Sequence, residues 1–194
     1  MQPLILALCV GFASSNLFAQ RPGWQPSLGH TQVPIWLGTA PDAQFGPAPN
    51  TEQVPEPGEV ENVSRPTLTV YPPTGNNTGA AVVVFPGGGY YVLAIDIEGT
   101  EVCDWLTAKG ITCVLLKYRV PNSGPQWDER CKCQIKPKAP MALEDAQRTV
   151  GLVRFRAPEY RIDPHKIGVL GFSAGGHLVT DICTHFADSG ERER

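Results

Sequence analysis

Three short stretches of the chain are apolar at nearly every position: Ala80 to Phe85, Ile111 to Leu116, and Ile167 to Leu170. Strands that lack alternation have both faces buried, as in a parallel sheet covered by helices. Two segments with helical spacing lie between them. Thr100 to Lys109 predicts a helix with Thr100 as its N-cap, Val102 and Leu106 turned inward with Trp105 as a further candidate, and Gly110 as its stop. Met141 to about Ala157 predicts a longer one, with Leu143, Ala146, Val150 and Val153 on one face. A third helical segment starts after the last apolar run, at Leu178 to Ile182. Leu68 to Tyr71 is a further strand by its β-branched and aromatic content, closed by Pro72-Pro73. The apolar island Val33 to Leu37 either adds an edge strand or packs a loop, and residues 120–139 read as a loop rich in Pro, Lys and Cys.

The order strand, helix, strand, helix, strand, helix predicts an α/β architecture with a parallel sheet. Strand 81–85 is expected in the middle, flanked by 112–117 and 167–171. The direction of travel then reverses between the two crossovers. Right-handed connections therefore put helices 100–109 and 142–157 on opposite faces.

Composition narrows the class without naming a chemistry. A chain of 194 residues, 42% hydrophobic and 18% charged, is long enough for one ordinary domain with a sizeable core. A formal net charge of −3 gives no footprint for nucleic acid or an anionic membrane surface. The first residues, Leu4 to Val10, form an apolar run too short for a stable membrane span, with Ala19-Gln20 as a cleavage site. Residues 1–19 are thus expected to be a signal peptide, 20–61 a proline-rich segment, and 62–194 the folded domain of a secreted or periplasmic protein. Export permits disulfides. Beyond Cys9 the cysteines are Cys103, Cys113, Cys131, Cys133 and Cys183, expected as buried small hydrophobes or one loop disulfide. Cys131-Lys132-Cys133 has no neighbouring His, so no metal site is expected, and no cofactor is implied.

The candidate chemistry begins where the third apolar run meets its helix, at Gly171-Phe172-Ser173-Ala174-Gly175-Gly176-His177. A serine between two glycines at a strand-to-helix turn is the G-x-S-x-G nucleophile elbow. The sharp turn strains its central residue, and side chains two positions either side would collide with strand or helix. Ser173 is the candidate nucleophile. An acyl-transfer serine also needs donors for the developing oxyanion. One is the backbone N–H of Ala174; the others come from Pro86-Gly87-Gly88-Gly89, at the end of the adjacent strand, with Gly88 and Gly89 as the donors. The triple glycine lacks both G-x-G-x-x-G spacing and a following Lys-Ser/Thr, which argues against a nucleotide site.

Pro86 to Tyr90, Glu98 to Glu101, Leu116 to Pro121, Asp145 to Arg148 and Gly171 to His177 together resemble the esterase/lipase branch of the α/β-hydrolases. The resemblance is strongest to exported acetyl xylan esterase-like bacterial proteins. It implies a three-layer α/β-hydrolase fold with a mostly parallel sheet, and a substrate that is a small-molecule or polysaccharide ester. Pro86 stands where many relatives of this kind have His. The family order is Ser, then Asp or Glu, then His, carried on later strands. After Ser173 this chain offers only His177, Asp181, His185 and Asp188, on or just past the elbow helix. His177 shares a helix face with Ser173 and is expected to support the elbow, not to act as base. His30 and His165 precede the elbow. No triad acid or base is assigned, and the chain reads as the front part of a hydrolase whose C-terminal strands are missing. Two alternatives stay open. One is a non-catalytic remnant that keeps the crevice as a carbohydrate-binding surface; the other is a serine peptidase of the same fold.

Overall fold

The computed structural model describes residues 23–121, 126–128, 132–135 and 140–185. The expected signal segment, Cys131, the side chain of Cys133 and Asp188 lie outside the described residues. In chain order the elements are β1 (Gln32–Pro34), β2 (Val60–Glu61), β3 (Thr67–Tyr71), β4 (Ala81–Phe85) and β5 (Val92–Leu93). They continue with α1 (Glu101–Thr107), β6 (Thr112–Lys117), β7 (Gln126–Asp128), β8 (Cys133–Ile135) and α2 (Pro140–Phe155). Last come α3 (Ala157–Tyr160), β9 (Ile167–Gly171) and α4 (Ala174–Thr184).

The main sheet has the order β1-β3-β6-β4-β9. β4 pairs in parallel with β6 on one side and β9 on the other, so the expected central strand is central. β3 is antiparallel to β6, and β1 to β3, which makes the apolar island near Val33 part of an edge strand. Two of the continuous apolar runs behave as their lack of alternation requires, with Val83, Val84, Phe85, Val114, Leu115 and Leu116 all buried. β9 instead alternates between half-buried and exposed, because it has no neighbour on its outer side among the described residues. α1 lies on the face of β6 that carries Cys113 and is joined to it by a Cys103–Cys113 disulfide. α2 packs against α4.

Four local expectations need correction. The first crossover begins before Thr100, as a π-helical turn at Asp96–Thr100, so Thr100 is already helical and makes no side-chain cap. Its hydroxyl donates back to Asp96 O instead (3.2 Å). Trp105 is 59% exposed, not inward; Lys109 Nζ sits 5.1 Å from its ring centroid, and Leu106 and Cys103 hold the buried face. The disulfide ties a helix to a strand and is not in a loop. Residues 120–139 are not wholly loop, since β7 and β8 pair there as an antiparallel hairpin.

In α2 the inward stripe is Ala142, Asp145, Ala146, Thr149 and Val153, with Leu143 and Val150 flanking it. The helix presents a carboxylate to the interior because Arg119, just past β6, is buried there too. Its Nε and Nη2 donate to Asp145 at 2.9 Å each, and its own backbone N–H donates to Asp145 Oδ2 (3.0 Å). Trp36 Nε1 donates to the same carboxylate (2.9 Å), and Arg119 Nη1 donates to Pro41 O. The buried pair thereby fastens the proline-rich segment to the sheet. Trp24, Ile35 and Val60 from that segment join the core.

Candidate functional site

β4 and β9 run side by side and end together, with Phe85 opposite Gly171. The two loops that leave these ends therefore face each other across the carboxyl edge of the sheet. Because β6 lies on the far side of β4, the chain reverses direction at this point, the place where open α/β sheets form crevices.

Ser173 sits between β9 and α4 with φ 47 and ψ −114, a conformation L-residues rarely adopt, and it is exposed. The flanking glycines are sterically required. A Cβ at Gly175 would run into Phe85 O, and one at Gly171 into Gly175 O. The elbow expected from the spacing is thus present in geometry. Ala174 is the first residue of α4, and its N–H has no acceptor among the described residues, as helix N-termini leave their first amides. The helix dipole adds partial positive charge at the same point.

The Pro86–Gly89 loop comes equally close. A Cβ placed on Gly87 would lie 3.0 Å from Ser173 Cβ and 2.7 Å from Phe172 O. Its peptide planes are held one after another. Tyr118 Oη donates to Pro86 O (2.5 Å), and Gly87 N–H donates to Glu98 Oε2 (2.7 Å). Gly87 O accepts from Ala94 N–H (3.0 Å), and Gly88 O accepts from the N–H groups of Tyr91 (3.0 Å) and Val92 (3.1 Å). With these carbonyls turned into the protein, the N–H groups of Gly88 and Gly89 are left without an acceptor among the described residues. Gly88 has φ 125, and a Cβ there would run into Val92 O.

Behind the elbow is a ring cluster. Tyr90 is buried and holds φ 64; its hydroxyl lies 2.9 Å from His177 Nδ1. Its ring stands edge-on to Tyr118 and His177, with centroids 6.2 and 5.9 Å away. Burial pushes both phenols far above the ordinary tyrosine range, so they keep their protons as hydrogen-bond donors. His177 Nδ1 also lies 3.3 Å from Asp181 Oδ2, one turn on. Both contacts use Nδ1, so His177 ties Tyr90 to the first turns of α4. The other histidines are elsewhere: His30 stacks on Tyr71, His165 is in the exposed turn after Asp163, and His185 caps the end of α4. Among the described residues, Ser173 Oγ has no hydrogen-bond partner, and no cluster of three metal-ligating side chains occurs. Two clefts of about 710 and 730 Å³ open on the β1 side of the sheet, one floored by the Lys117–Glu52 ion pair, and neither reaches Ser173.

A family model described as BD-FAE matches residues 68–187, more than half of the chain, from the second residue of β3 through α4. The chain belongs to the BD-FAE family, an α/β-hydrolase-like group. It is also 34% identical over 109 residues to an acetylxylan esterase of Xylanibacter ruminicola, covering 56% of this chain and 20% of that protein. Among solved structures it resembles an acetyl ester-xyloside bifunctional hydrolase from Caldicellulosiruptor lactoaceticus (33% identity, TM-score 0.55, 80% of this chain and 47% of that one). It also resembles an esterase from Pyrobaculum calidifontis (28% identity, TM-score 0.51, 68% and 38%). The chain thus spans a fifth of that acetylxylan esterase and under half of each of these solved structures. No helix among the described residues is long and apolar enough to cross a membrane.

Sequence reasoning placed Ser173, Ala174, Gly88 and Gly89 around one crevice, and in the structure they share the edge formed by β4 and β9. It did not assign Glu98, Tyr90 or Tyr118 any part in holding the loop. Glu98 and Tyr118 stand in the sequence blocks that carry the family resemblance, yet nothing in their local pattern aims them at Gly87 and Pro86.

Proposed function

We propose that the protein is a serine carboxylic-ester hydrolase, or the N-terminal part of one, acting on acetyl or short-acyl esters. Ser173 is its nucleophile, and the amides of Ala174, Gly88 and Gly89 are its oxyanion donors. The observation that carries this reading is the conjunction at one sheet edge of an exposed, backbone-strained serine with three uncommitted amides. Ser173 Oγ attacks the acyl carbon, and the carbonyl oxygen takes up negative charge facing those amides. Collapse breaks the bond to the alcohol, which leaves with the serine's proton, and water then releases the acid from the acyl-enzyme. The proton needs a general base. His177 contacts Tyr90 and Asp181 through Nδ1, but no side chain is bonded to Ser173 Oγ among the described residues, so the acid and base are assigned to a part of the hydrolase beyond α4. The span of under half of the solved relatives supports that reading. Similarity to an acetylxylan esterase supports a plant-polysaccharide ester and an exported protein as the finer assignment.

The 194-residue chain should react only slowly at Ser173 with a fluorophosphonate and hydrolyse p-nitrophenyl acetate slowly too, since both steps need the serine's proton removed. Without the base, the oxyanion site alone gives about 10³–10⁴-fold over water in comparable systems. Ser173→Ala should abolish both. Labelling on another residue would sink the assignment. Turnover at ordinary enzyme rates that disappears in His177→Ala would show that the base is on α4 after all.

A further inference from the structure

We propose that Glu98 is a positioning residue for the oxyanion donors: it holds the Gly87 amide so that the next two amides point at Ser173. The inference rests on the reading of Ser173 as nucleophile, but its geometry stands independently of turnover. A peptide unit is planar, so fixing its oxygen or its N–H fixes the other. Tyr118 Oη holds the Pro86–Gly87 plane by its oxygen, and Glu98 Oε2 holds the same plane by its N–H (2.5 and 2.7 Å). Each following plane is held by its oxygen alone, from Ala94 N–H and then from Tyr91 and Val92 N–H. Glu98 thus completes the one doubly fixed plane from which the free Gly88 and Gly89 amides are aimed.

The π-helical turn is what brings the carboxylate there. Thr100 N–H donates to Ile95 O (3.0 Å), five residues back, and the widened turn places Glu98 over the loop. The turn is itself braced. Trp24 Nε1 donates to Asp96 Oδ1 (3.2 Å), and Gly99 leaves room for Leu115, whose Cδ1 would lie 2.9 Å from an added Cβ. The choice of residue is informative because a carboxylate so near an oxyanion site opposes the charge that develops there. Its service is as a hydrogen-bond acceptor for a buried amide, which a neutral amide side chain also provides.

The test uses the whole 194-residue chain and an alkyl fluorophosphonate, whose P–F bond breaks as the Ser173 Oγ–P bond forms, releasing fluoride and a proton to solvent. Glu98→Ala should slow labelling of Ser173 about tenfold, less than the loss of a whole oxyanion donor. Glu98→Gln should stay within about threefold of the parent, because the acceptor is retained. Tyr118→Phe, which frees the other end of the same plane, should fall with Glu98→Ala and decides the matter if the alanine variant does not fold. Amide NMR supplies a readout independent of reactivity: the Gly88 and Gly89 resonances should move together with Gly87 in Glu98→Ala. Movement of Gly87 alone, or labelling by Glu98→Ala and Tyr118→Phe at the parent rate, overturns the proposal. So does a glutamine variant as slow as the alanine one, which would make the charge the effective property. Labelling of the parent away from Ser173 would instead sink the nucleophile assignment and leave the NMR outcome to judge Glu98.

Discussion

At one edge of the sheet, β1 lays three residues against β3 and ends in Pro34, which has no N–H to offer a further strand. At the other, β9 runs Ile-Gly-Val-Leu-Gly, has no strand beyond it among the described residues, and leaves Leu170 37% exposed. The first edge is short, proline-ended and wrapped by the segment that Trp24, Ile35 and Trp36 anchor. The second carries the strained turn at Ser173 on an apolar strand open along one side. Short, proline-bearing edges resist further pairing, whereas flat apolar ones invite it. The difference makes β9 the more exposed edge of the sheet among the described residues.

The largest expected effect breaks the finished side. Asp145 and Arg119 are both fully buried, and the carboxylate also receives Trp36. Asp145→Ala removes the carboxylate that Arg119 holds through Nε and Nη2, leaving Glu144 at 3.2 Å, and should cost about 3 kcal/mol in a urea titration. It should also release the proline-rich segment to proteolysis first. A loss under about 1 kcal/mol would mean that Arg119 reaches water and that this edge is less rigidly finished than its contacts indicate.

The β9 side is tested by charge. The parent chain should self-associate at tens of micromolar in sedimentation velocity, and Leu170→Lys should shift it toward monomer. Because Leu170 is partly exposed, the same change should alter stability by only about 0.5 kcal/mol. A parent that sediments as a monomer across that range would show that β9 is not a sticky edge, and the contrast would fail.

The two sides were also unequally readable in sequence. At the β4–β9 edge, the apolar run of β4 gives a buried strand and the glycines around Ser173 are dictated by contacts within seven residues or by the neighbouring strand end, whereas Glu98 and Tyr118 carry no such local sign. The β1 side is held by pairs far apart in sequence, such as Trp36 with Asp145 and Trp24 with Asp96. Polar partners of that kind leave no periodic trace. The inward face of α2 is rotated from the Leu143–Val153 stripe toward Asp145, because spacing cannot show that an Arg waits opposite. Thr100 and Trp105 were misjudged for a related reason: the π-turn starts the helix early and rotates its faces, and a 3.6-residue template does not anticipate that.

The smallest effect concerns Tyr71, in β3 on the finished side. Its hydroxyl is buried with no hydrogen-bond partner among the described residues, and its ring stacks on His30 with centroids 4.2 Å apart. Burial first, then the charges of Asp104 and Asp96, push its phenol from 10.0 up to about 12. In the unfolded chain the proton leaves near the ordinary value, so between those two points the folded state binds the extra proton. Stability from this group is therefore complete below pH 10 and declines as pH rises through about 12. Tyr71→Phe cannot ionise and gives up no hydrogen bond, so at neutral pH it should match or slightly exceed the parent. Its advantage should then widen as the solution is made alkaline, which urea midpoints for the two proteins would register. Tyr90 and Tyr118 keep their own protons in both proteins and add the same decline to each, so the difference isolates Tyr71. Midpoints that fall in parallel would mean that water reaches this hydroxyl, and that the sealed edge of the sheet is wetter than its packing indicates.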